Sequence, residues 1–313
     1  MKFWVGVTDN DWYHYLAELQ PDEVNYWRPS GASFGAIDKY DPFLFKLHSP
    51  YDYIVGGGFY IRFTQLPLSL AWDVFKEKNG TDTYEEFYQI IRGYRVQQGT
   101  MRPNPVVGCI VLTQPFFFPE EKWIPIPEDW SPNIVQGKTY NTKEPIGSRL
   151  WEDVQLRLQD VPIEERKATI SETNRYGEKY TVKPRLGQGG FRVEVIEAYH
   201  RKCAMTGEKA LPVLQASHIK PYTKSGPHDI KNGLLLRADL HILFDQGYLT
   251  VTEDHHIEAS REMKADFNNG EEYLKLHGQN LIALPDNTFE RPSPEFLQWH
   301  NENIYLSRKK QMS

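Results

Sequence analysis

Two histidines and an asparagine stand close together in the C-terminal half of the sequence, and their residue types are suited to chemistry. His218, Asn232 and His241 follow one another in this order. Histidine exchanges a proton near neutral pH and is also the commonest metal ligand in proteins. The segment could therefore carry acid–base chemistry, metal-assisted chemistry or both. A single histidine would be weak evidence for an active site. Whether the three residues can act together depends on the secondary-structure elements that position them.

The pattern around these residues predicts a strand, a loop, a second strand and a helix. Leu214–Ala216 is typical of a strand, and Asn232–Gly233 is a strong turn signal before the apolar run Leu234–Leu236. A helix is then predicted over Asp239–Phe244, with the aspartate at its N-terminal end. His241 and the aspartate four positions later share one face of this helix. The first histidine is therefore expected on a hairpin arm and the second on the helix that follows.

Several short motifs coincide with this arrangement. They are C-x-x-T-G at Cys203–Gly207, then A-S-H-I-x-P, N-G-L-L-L and D-L-H-x-L-F-D-x-G. Order, spacing and expected local structure together resemble the HNH nuclease family, whose ββα-metal unit hydrolyses phosphodiesters with one divalent cation. The resemblance extends from about Arg185 to the end of the predicted helix.

This resemblance implies a role for each of the three residues. His218, neutral near pH 7, is the general base that takes a proton from water. A cation held by His241 polarises a phosphate oxygen and stabilises the departing 3′-oxygen. Asn232 braces the hairpin loop and helps to orient the base. The alternative interpretation of the asparagine is a plain turn residue.

The expected cofactor is one divalent metal ion, with Mg²⁺ as first choice and Mn²⁺ or another transition metal as alternatives. Many HNH sites have Asp or His immediately before the general base as a second ligand, where this sequence has Ser217, a poor ligand. Either Asp245 replaces it, directly or through water, or water and phosphate supply most of the coordination, as suits Mg²⁺. Asp245 could equally favour the helix end or pair with a cation. His228, His255 and His256 are expected to be exposed loop residues.

Residues 1–150 predict short strands with a few helices and are rich in aromatic residues. Phe3–Val7, Asp41–Ser49 and Ile54–Gly58 are candidate strands, and Asn25–Ser30 (NYWRPS) is interpreted as a loop that carries a tryptophan. In this order the segments resemble the EVE branch of the PUA-like fold, a small β-barrel that holds one modified or flipped base. The expected fold class is α+β: an N-terminal PUA-like (EVE-like) small β-barrel with helices, then a ββα-metal HNH nuclease domain.

The second resemblance implies an aromatic pocket with Trp27 as its stacking wall. Asn25, Ser30, His48 and Ser49 are the candidate groups for hydrogen bonds to the edge of the base. A base outside the duplex loses stacking energy of roughly a few kcal/mol, for which aromatic faces and edge hydrogen bonds compensate. The alternative is that these aromatic side chains form the core of the barrel.

Composition bounds the remaining possibilities. The chain has 313 residues, which suggests two domains, and a formal net charge of −6, which disfavours a protein that coats nucleic acid. No apolar run is long enough for a membrane span, and the acidic N-terminal segment is not typical of a secretory signal. With only two cysteines, a reducing cytoplasm is expected. The predicted domains are 1–150 (base sensing), 151–184 (helix and linker) and 185–313 (nuclease).

Together the two resemblances imply a modification-dependent restriction endonuclease. Such an enzyme would cleave double-stranded DNA that contains 5-methylcytosine or 5-hydroxymethylcytosine, and a homodimer would be one way to cut both strands. Two alternatives remain open at this point. One is a nicking or homing-type HNH nuclease whose N-terminal half has another specificity, and the other is a non-catalytic nucleic-acid-binding module.

Overall fold

A computed structural model describes residues 1–97, 102–159 and 186–306. The chain divides into two compact units, Met1–Gly190 and Phe191–Ser313. The predicted helix at the start of the linker is present as part of a longer helix, Pro145–Gln159. The rest of the predicted linker, residues 160–184, falls outside the described ranges. Helices and strands occur in both units, which confirms the α+β class.

Seven strands of the first unit belong to one sheet. Their order is β2-β5-β4-β3-β1-β7, and β6 pairs with β4. Only β1 and β3 run parallel; the other pairs are antiparallel. Across the part of the chain that the structure describes, the outer strands β2 and β7 do not pair, so the predicted small barrel is an open sheet. The strands are β1 (Lys2–Thr8), β2 (Glu23–Arg28), β3 (Pro42–Leu47), β4 (Tyr53–Pro67), β5 (Val106–Phe117), β6 (Ile124–Pro125) and β7 (Gly137–Asn141).

Strand β3 shows how the sheet separates two apolar layers. All six of its residues are buried. Leu44 packs into a cluster with Phe3 and Val5 of β1, whereas its neighbours Phe43 and Phe45 pack into a second cluster on the other side. Successive side chains of a strand point to opposite faces, so a strand covered on both sides is a continuous apolar run.

Four helices in the described part of the first unit agree with the prediction of a few helices among short strands. They are α1 (Asn10–Leu19), α2 (Leu68–Phe75), α3 (Tyr84–Gln97) and α4 (Pro145–Gln159). The Asp9 carboxylate caps α1 by accepting from the main-chain nitrogens of residues 11 and 12, at 3.0 and 3.1 Å. At α3, the Thr83 hydroxyl accepts from the Glu86 nitrogen at 3.2 Å, which is half of the predicted capping box.

The interpretation of Asn25–Ser30 as a loop is wrong for most of this segment. Strand β2 covers Glu23–Arg28 and pairs with β5, with Asn25 opposite Val111 and Trp27 opposite Cys109. Its buried polar residues hide the alternation by which a strand is normally predicted. The strand therefore depends on its long-range partner, which the local sequence does not reveal.

The second unit contains the predicted succession of strand, loop, strand and helix. The hairpin of β8 and β9 places Leu214 opposite Arg237 and His218 opposite Gly233. None of the helices in the described ranges is long and apolar enough to cross a bilayer. The elements from residue 188 on are α5 (Gln188–Ala198), β8 (Leu214–His218), β9 (Gly233–Arg237), α6 (Ala238–Asp245), β10 (Leu249–Val251), β11 (Ile257–Ala259), α7 (Glu262–Phe267), α8 (Glu271–Leu274) and α9 (Pro294–Asn303).

Candidate active site and aromatic cavity

His218 stands at the end of strand β8 with its ring packed flat on a phenylalanine. The centroids of the His218 and Phe191 rings are 4.0 Å apart, with 18° between the planes. Gly233, opposite His218 in the hairpin, makes room for this contact. A Cβ there would lie 2.6 Å from Val195 and 3.1 Å from the Phe191 ring. The glycine after Asn232 is therefore needed for close packing against Val195 and Phe191 as well as for the turn before β9.

A second histidine contacts His218 directly. The Nε2 atom of His218 lies 2.9 Å from Nδ1 of His228. The His228 ring in turn stacks on Tyr222, with centroids 4.6 Å apart and 8° between the planes. His228 and His255 are half-buried, so the expectation of exposed loop histidines is wrong for both, whereas His256 is exposed. The loop that joins β8 to β9 brings His228 to His218, and no local sequence pattern predicts this contact.

The surroundings of His218 favour its neutral form. Burial, as the largest cause, and the neighbouring histidines His228 and His241 together lower the pKa of His218 to about 4, against an opposing effect of Asp245. At neutral pH the His218 imidazole is therefore unprotonated and able to accept a proton.

Asn232 closes the loop between the two strands. Its side chain is fully buried. Its Oδ1 accepts from the Lys220 nitrogen at 2.8 Å, and its Nδ2 donates to the carbonyls of Lys220 and Pro227 at 2.9 and 3.0 Å. Gly226 is needed inside this loop, because a Cβ there would lie 1.8 Å from the Lys220 carbonyl oxygen. The asparagine thus ties both ends of residues 220–227 to the base of the hairpin.

His241 and Asp245 form a pair on one face of helix α6. Nε2 of His241 lies 3.2 Å from Oδ2 of Asp245, whose carboxylate is about half exposed. On the other side of the ring, Nδ1 of His241 lies 2.7 Å from Oε1 of Gln215 on strand β8. Because an amide oxygen only accepts, Nδ1 carries the proton in this arrangement. In the neutral form of the ring this leaves the lone pair on Nε2, next to a carboxylate oxygen, as a potential metal ligand.

This pair fits a metal ion with few protein ligands. Within the described ranges, no group of three or more His, Cys, Asp or Glu side chains converges. The Ser217 hydroxyl is buried and makes no hydrogen bond. His241 and Asp245 thus supply one nitrogen and one oxygen donor. The carboxylate is a donor that Mg²⁺ uses together with waters and substrate phosphates, and the imidazole nitrogen is a donor that transition metals favour, so the pair is compatible with either class of divalent ion.

The first unit contains an aromatic cavity of about 390 Å³. Six of its lining residues are aromatic: Trp4, Trp12, Tyr26, Trp27, Phe34 and Tyr94. Polar side chains also line it, namely Thr8, Asp9, Arg28, Ser30, His48 and Gln136. Volume and lining are typical of a site for a small, flat, polar-edged ligand.

Three of the five predicted pocket residues line this cavity: Trp27, Ser30 and His48. Asn25 does not, because it is fully buried elsewhere and its Nδ2 donates to Oδ1 of Asn79 at 2.8 Å. Ser49 is exposed and is not among the lining residues. The sequence missed most of the aromatic lining, because those rings come from distant segments that only the folded sheet brings together.

Two of the aromatic walls are anchored by their polar edges. Nε1 of Trp27 donates to the main-chain oxygen of Asn79 at 2.9 Å. The hydroxyl of Tyr26 donates to the main-chain oxygen of Val7. The Trp27 ring also packs against Phe87 and Tyr94, with ring centroids at 6.0 and 6.1 Å from it. The indole is therefore held in place at the cavity and is not free to rotate.

Comparison with known families identifies the hairpin and helix. Residues 203–252 match the model of an HNH endonuclease family, a range that includes β8, β9, α6 and all of β10. The chain carries an HNH endonuclease domain. Its hairpin holds His218 and Asn232, and its helix holds His241 and Asp245. The nuclease class of this enzyme follows from the domain and from the order of these residues within it.

Searches with the whole chain gave more distant likenesses. No curated protein matches it. Among solved structures, the ASCH protein from Zymomonas mobilis matches with 9% identity and a TM-score of 0.31, over 51% of this chain and 94% of that one. A mutant form of that protein gives 7% identity and a TM-score of 0.33, over 49% and 99%. A modification-dependent TagI restriction endonuclease matches with 13% identity and a TM-score of 0.27, over 92% and 78%.

Proposed function

We propose that the protein is a modification-dependent endonuclease that cleaves double-stranded DNA containing 5-methylcytosine or 5-hydroxymethylcytosine. The observation that carries the hydrolytic part is the arrangement in the HNH domain. A neutral imidazole, His218, stands on strand β8, and the His241–Asp245 pair, which has the donors for a divalent ion, contacts the same strand through Gln215. The aromatic cavity of the first unit supports the base-reading part.

At the hydrolytic site, His218 acts as the general base. It takes the proton of the water that attacks the scissile phosphorus, and its pKa of about 4 keeps it ready for this at neutral pH. Phe191 fixes the plane of the imidazole, and Asn232 holds the loop that follows it. A divalent ion bound by His241 and Asp245, with Mg²⁺ as first choice, would neutralise charge on the phosphate and on the leaving 3′-oxygen.

Gln215 orients the His241 ring in this scheme. Its amide oxygen accepts a hydrogen bond from Nδ1 of His241, so that Nε2 of this ring would face the ion. A partner of this kind on the second ring nitrogen is the usual way in which a metal-binding histidine is held in one tautomer. Ser217, whose hydroxyl is buried, contributes no ligand in this proposal.

In the first unit, a modified cytosine flipped out of the duplex would enter the aromatic cavity. The Trp27 ring offers a stacking face that its hydrogen bond to Asn79 holds in position. Ser30 and His48 offer polar atoms at the wall for the edge of the base. Extrusion of a base costs roughly a few kcal/mol, which stacking and edge hydrogen bonds repay.

This division of labour assigns base sensing to residues 1–150 and cleavage to residues 185–313, with the segment between them as a connection. We place the enzyme in the cytoplasm, where foreign DNA would be met. Both cysteines, Cys109 and Cys203, are unpaired and buried, as expected in a reducing compartment.

The test compares three duplexes of one sequence that contain cytosine, 5-methylcytosine or 5-hydroxymethylcytosine. With Mg²⁺ or Mn²⁺, the purified protein should cut at least one modified duplex and leave the unmodified one intact. Equal cutting of all three would replace the proposal by an HNH nuclease of another specificity. Failure to cut any of them with either ion would point to a non-catalytic binding module.

A further inference from the structure

His228 is a titratable residue next to the active site that the mechanism above does not use. Its Nδ1 lies 2.9 Å from Nε2 of His218, and its ring is half-buried. Tyr222 supports it by a nearly parallel stack at 4.6 Å. The next residue toward the N-terminus, Pro227, is held through its carbonyl by Nδ2 of Asn232 at 3.0 Å. Two independent contacts thus place this imidazole against the first one.

We propose that His228 is a positioning residue that fixes the orientation and the tautomer of His218. This inference rests on the proposed role of His218 as general base. The stack on Phe191 sets the plane of the His218 ring but does not distinguish its two nitrogens, because a half-turn of the ring leaves the plane unchanged. A hydrogen bond to one nitrogen removes this ambiguity.

The direction of the bond follows from what a base requires. In a neutral imidazole one ring nitrogen donates and the other accepts. If Nε2 of His218 accepted from His228, its proton would sit on Nδ1 and no lone pair would remain for water. His218 therefore donates from Nε2 to Nδ1 of His228, and its own Nδ1 is the atom that takes the proton. His228 performs for this base what a buried acceptor performs for the histidine of a hydrolase triad.

Two substitutions separate the hydrogen bond from the ring stack. In His228→Asn, the amide oxygen is attached to Cγ, as Nδ1 is, so it can still accept from His218 while the stack on Tyr222 is lost. In His228→Phe, the stack is kept and the acceptor is lost. We expect His228→Phe to lower kcat about 10- to 100-fold with little change in KM for DNA. We expect His228→Asn to stay within a few-fold of the wild type.

A spectroscopic measurement reads the tautomer directly and does not depend on activity. Nitrogen-15 NMR of the metal-free protein at neutral pH should show His218 with its proton on Nε2, assigned by the signal that disappears in His218→Ala. The same tautomer should persist in His228→Asn. In His228→Phe, both tautomers of His218 should be populated.

Several results would overturn the inference. A proton on Nδ1 of His218 in the wild type would do so, as would wild-type cleavage by His228→Phe. If His228→Asn were as slow as His228→Phe, His228 would have to accept a proton itself, and a positioning role would be wrong. Failure of the underlying function looks different, because His218→Ala would then cut DNA at the wild-type rate.

Discussion

The active site and the aromatic cavity are assembled from very different lengths of chain. The groups of the hydrolytic site, from Gln215 to Asp245, lie within one hairpin and the helix that follows it. The cavity draws its walls from positions as far apart as Trp4 and Gln136, on strands, helices and loops that are neighbours only in the folded unit. A catalytic unit built on local contacts can be recognised by its motif, whereas a cavity built on distant contacts depends on the integrity of the whole sheet.

The two sites also differ in how their polar groups are satisfied. At the hydrolytic site, hydrogen bonds fix the orientation of all three polar side chains: His218 and His241 each have a side-chain partner, and Asn232 is held by main-chain atoms. At the cavity, the anchored groups are the edges of large aromatic rings, and the rings themselves form the surface. Substitutions at the first site should therefore affect rate, and those at the second should affect binding and discrimination.

The largest effect should come from His218→Ala. Loss of the general base should lower the cleavage rate by about 10²–10⁴, because water is then deprotonated without a positioned acceptor. Binding of modified DNA should be nearly unchanged, since the cavity lies in the other unit. Single-turnover cleavage and binding curves on one modified duplex measure the two separately. Loss of binding in parallel with cleavage would contradict the separation of the two sites.

The next largest effect should be on the affinity of the protein for its divalent ion. His241→Ala should weaken Mn²⁺ binding in calorimetry more than any other single change, because it removes the nitrogen donor. The matched variant is Gln215→Ala, which keeps both donors but frees the tautomer of the ring, and it should cost about 10- to 100-fold in affinity. Unchanged affinity in His241→Ala would remove this histidine from the ligand set.

At the cavity, Trp27→Ala should cost roughly 1–3 kcal/mol in binding to modified DNA. Weak binding to unmodified DNA should change little, because it depends on phosphate contacts. Ser49→Ala is the control, since this residue is exposed and lies outside the lining. Equal weakening on both duplexes would indicate a general DNA contact, and a large drop in Tm would make the indole a core residue.

The last effect is on the pH dependence of stability, where the change per pH unit is small. The pKa of His218 is about 4 in the folded protein, against an ordinary value of about 6.5. Between these values the unfolded chain binds a proton that the folded one does not, so stability should fall as the pH drops from 6.5 to 4. The contribution of His218 to the slope of unfolding free energy against pH should stay below the ~1.4 kcal/mol per pH unit that one full proton gives.

Urea unfolding of the metal-free wild type and of His218→Asn at several pH values isolates this contribution. The variant should lose part of the slope and keep what the other histidines contribute. Identical slopes in the two proteins would mean that His218 titrates normally in the folded state.

Sequence reasoning succeeded where structure depends on nearby residues. The hairpin and helix α6 follow from turn signals and apolar runs within one segment. Helix α3 was predictable from Thr83 at its start, whereas α1 was predicted to begin with Asp11 in the capping position and is capped by Asp9. Each of these signals is local and has a direct physical cause.

It failed where contacts join distant residues. Strand β2 was interpreted as a loop because its pairing partner, β5, lies more than eighty residues away. Asn25 was assigned to the pocket, although the strand directs it into a buried hydrogen bond with Asn79. His228 was missed because the curvature of the loop after β8, and no spacing rule, brings it to His218. In each case the prediction needed a contact between residues that are far apart in the sequence or are joined only by the folded loop.

The hydrogen bonds that anchor the aromatic rings of the cavity should reduce the loss of conformational entropy when a ligand binds. Trp27 and Tyr26 are tied to main-chain oxygens by the protein itself. An interface side chain that must be immobilised on binding costs about 0.5–1.5 kcal/mol. Walls held by such hydrogen bonds avoid part of this loss, so in the proposed function the free energy of stacking would go largely into holding the base. A cavity for one nucleotide would then discriminate between bases that differ by a single small group.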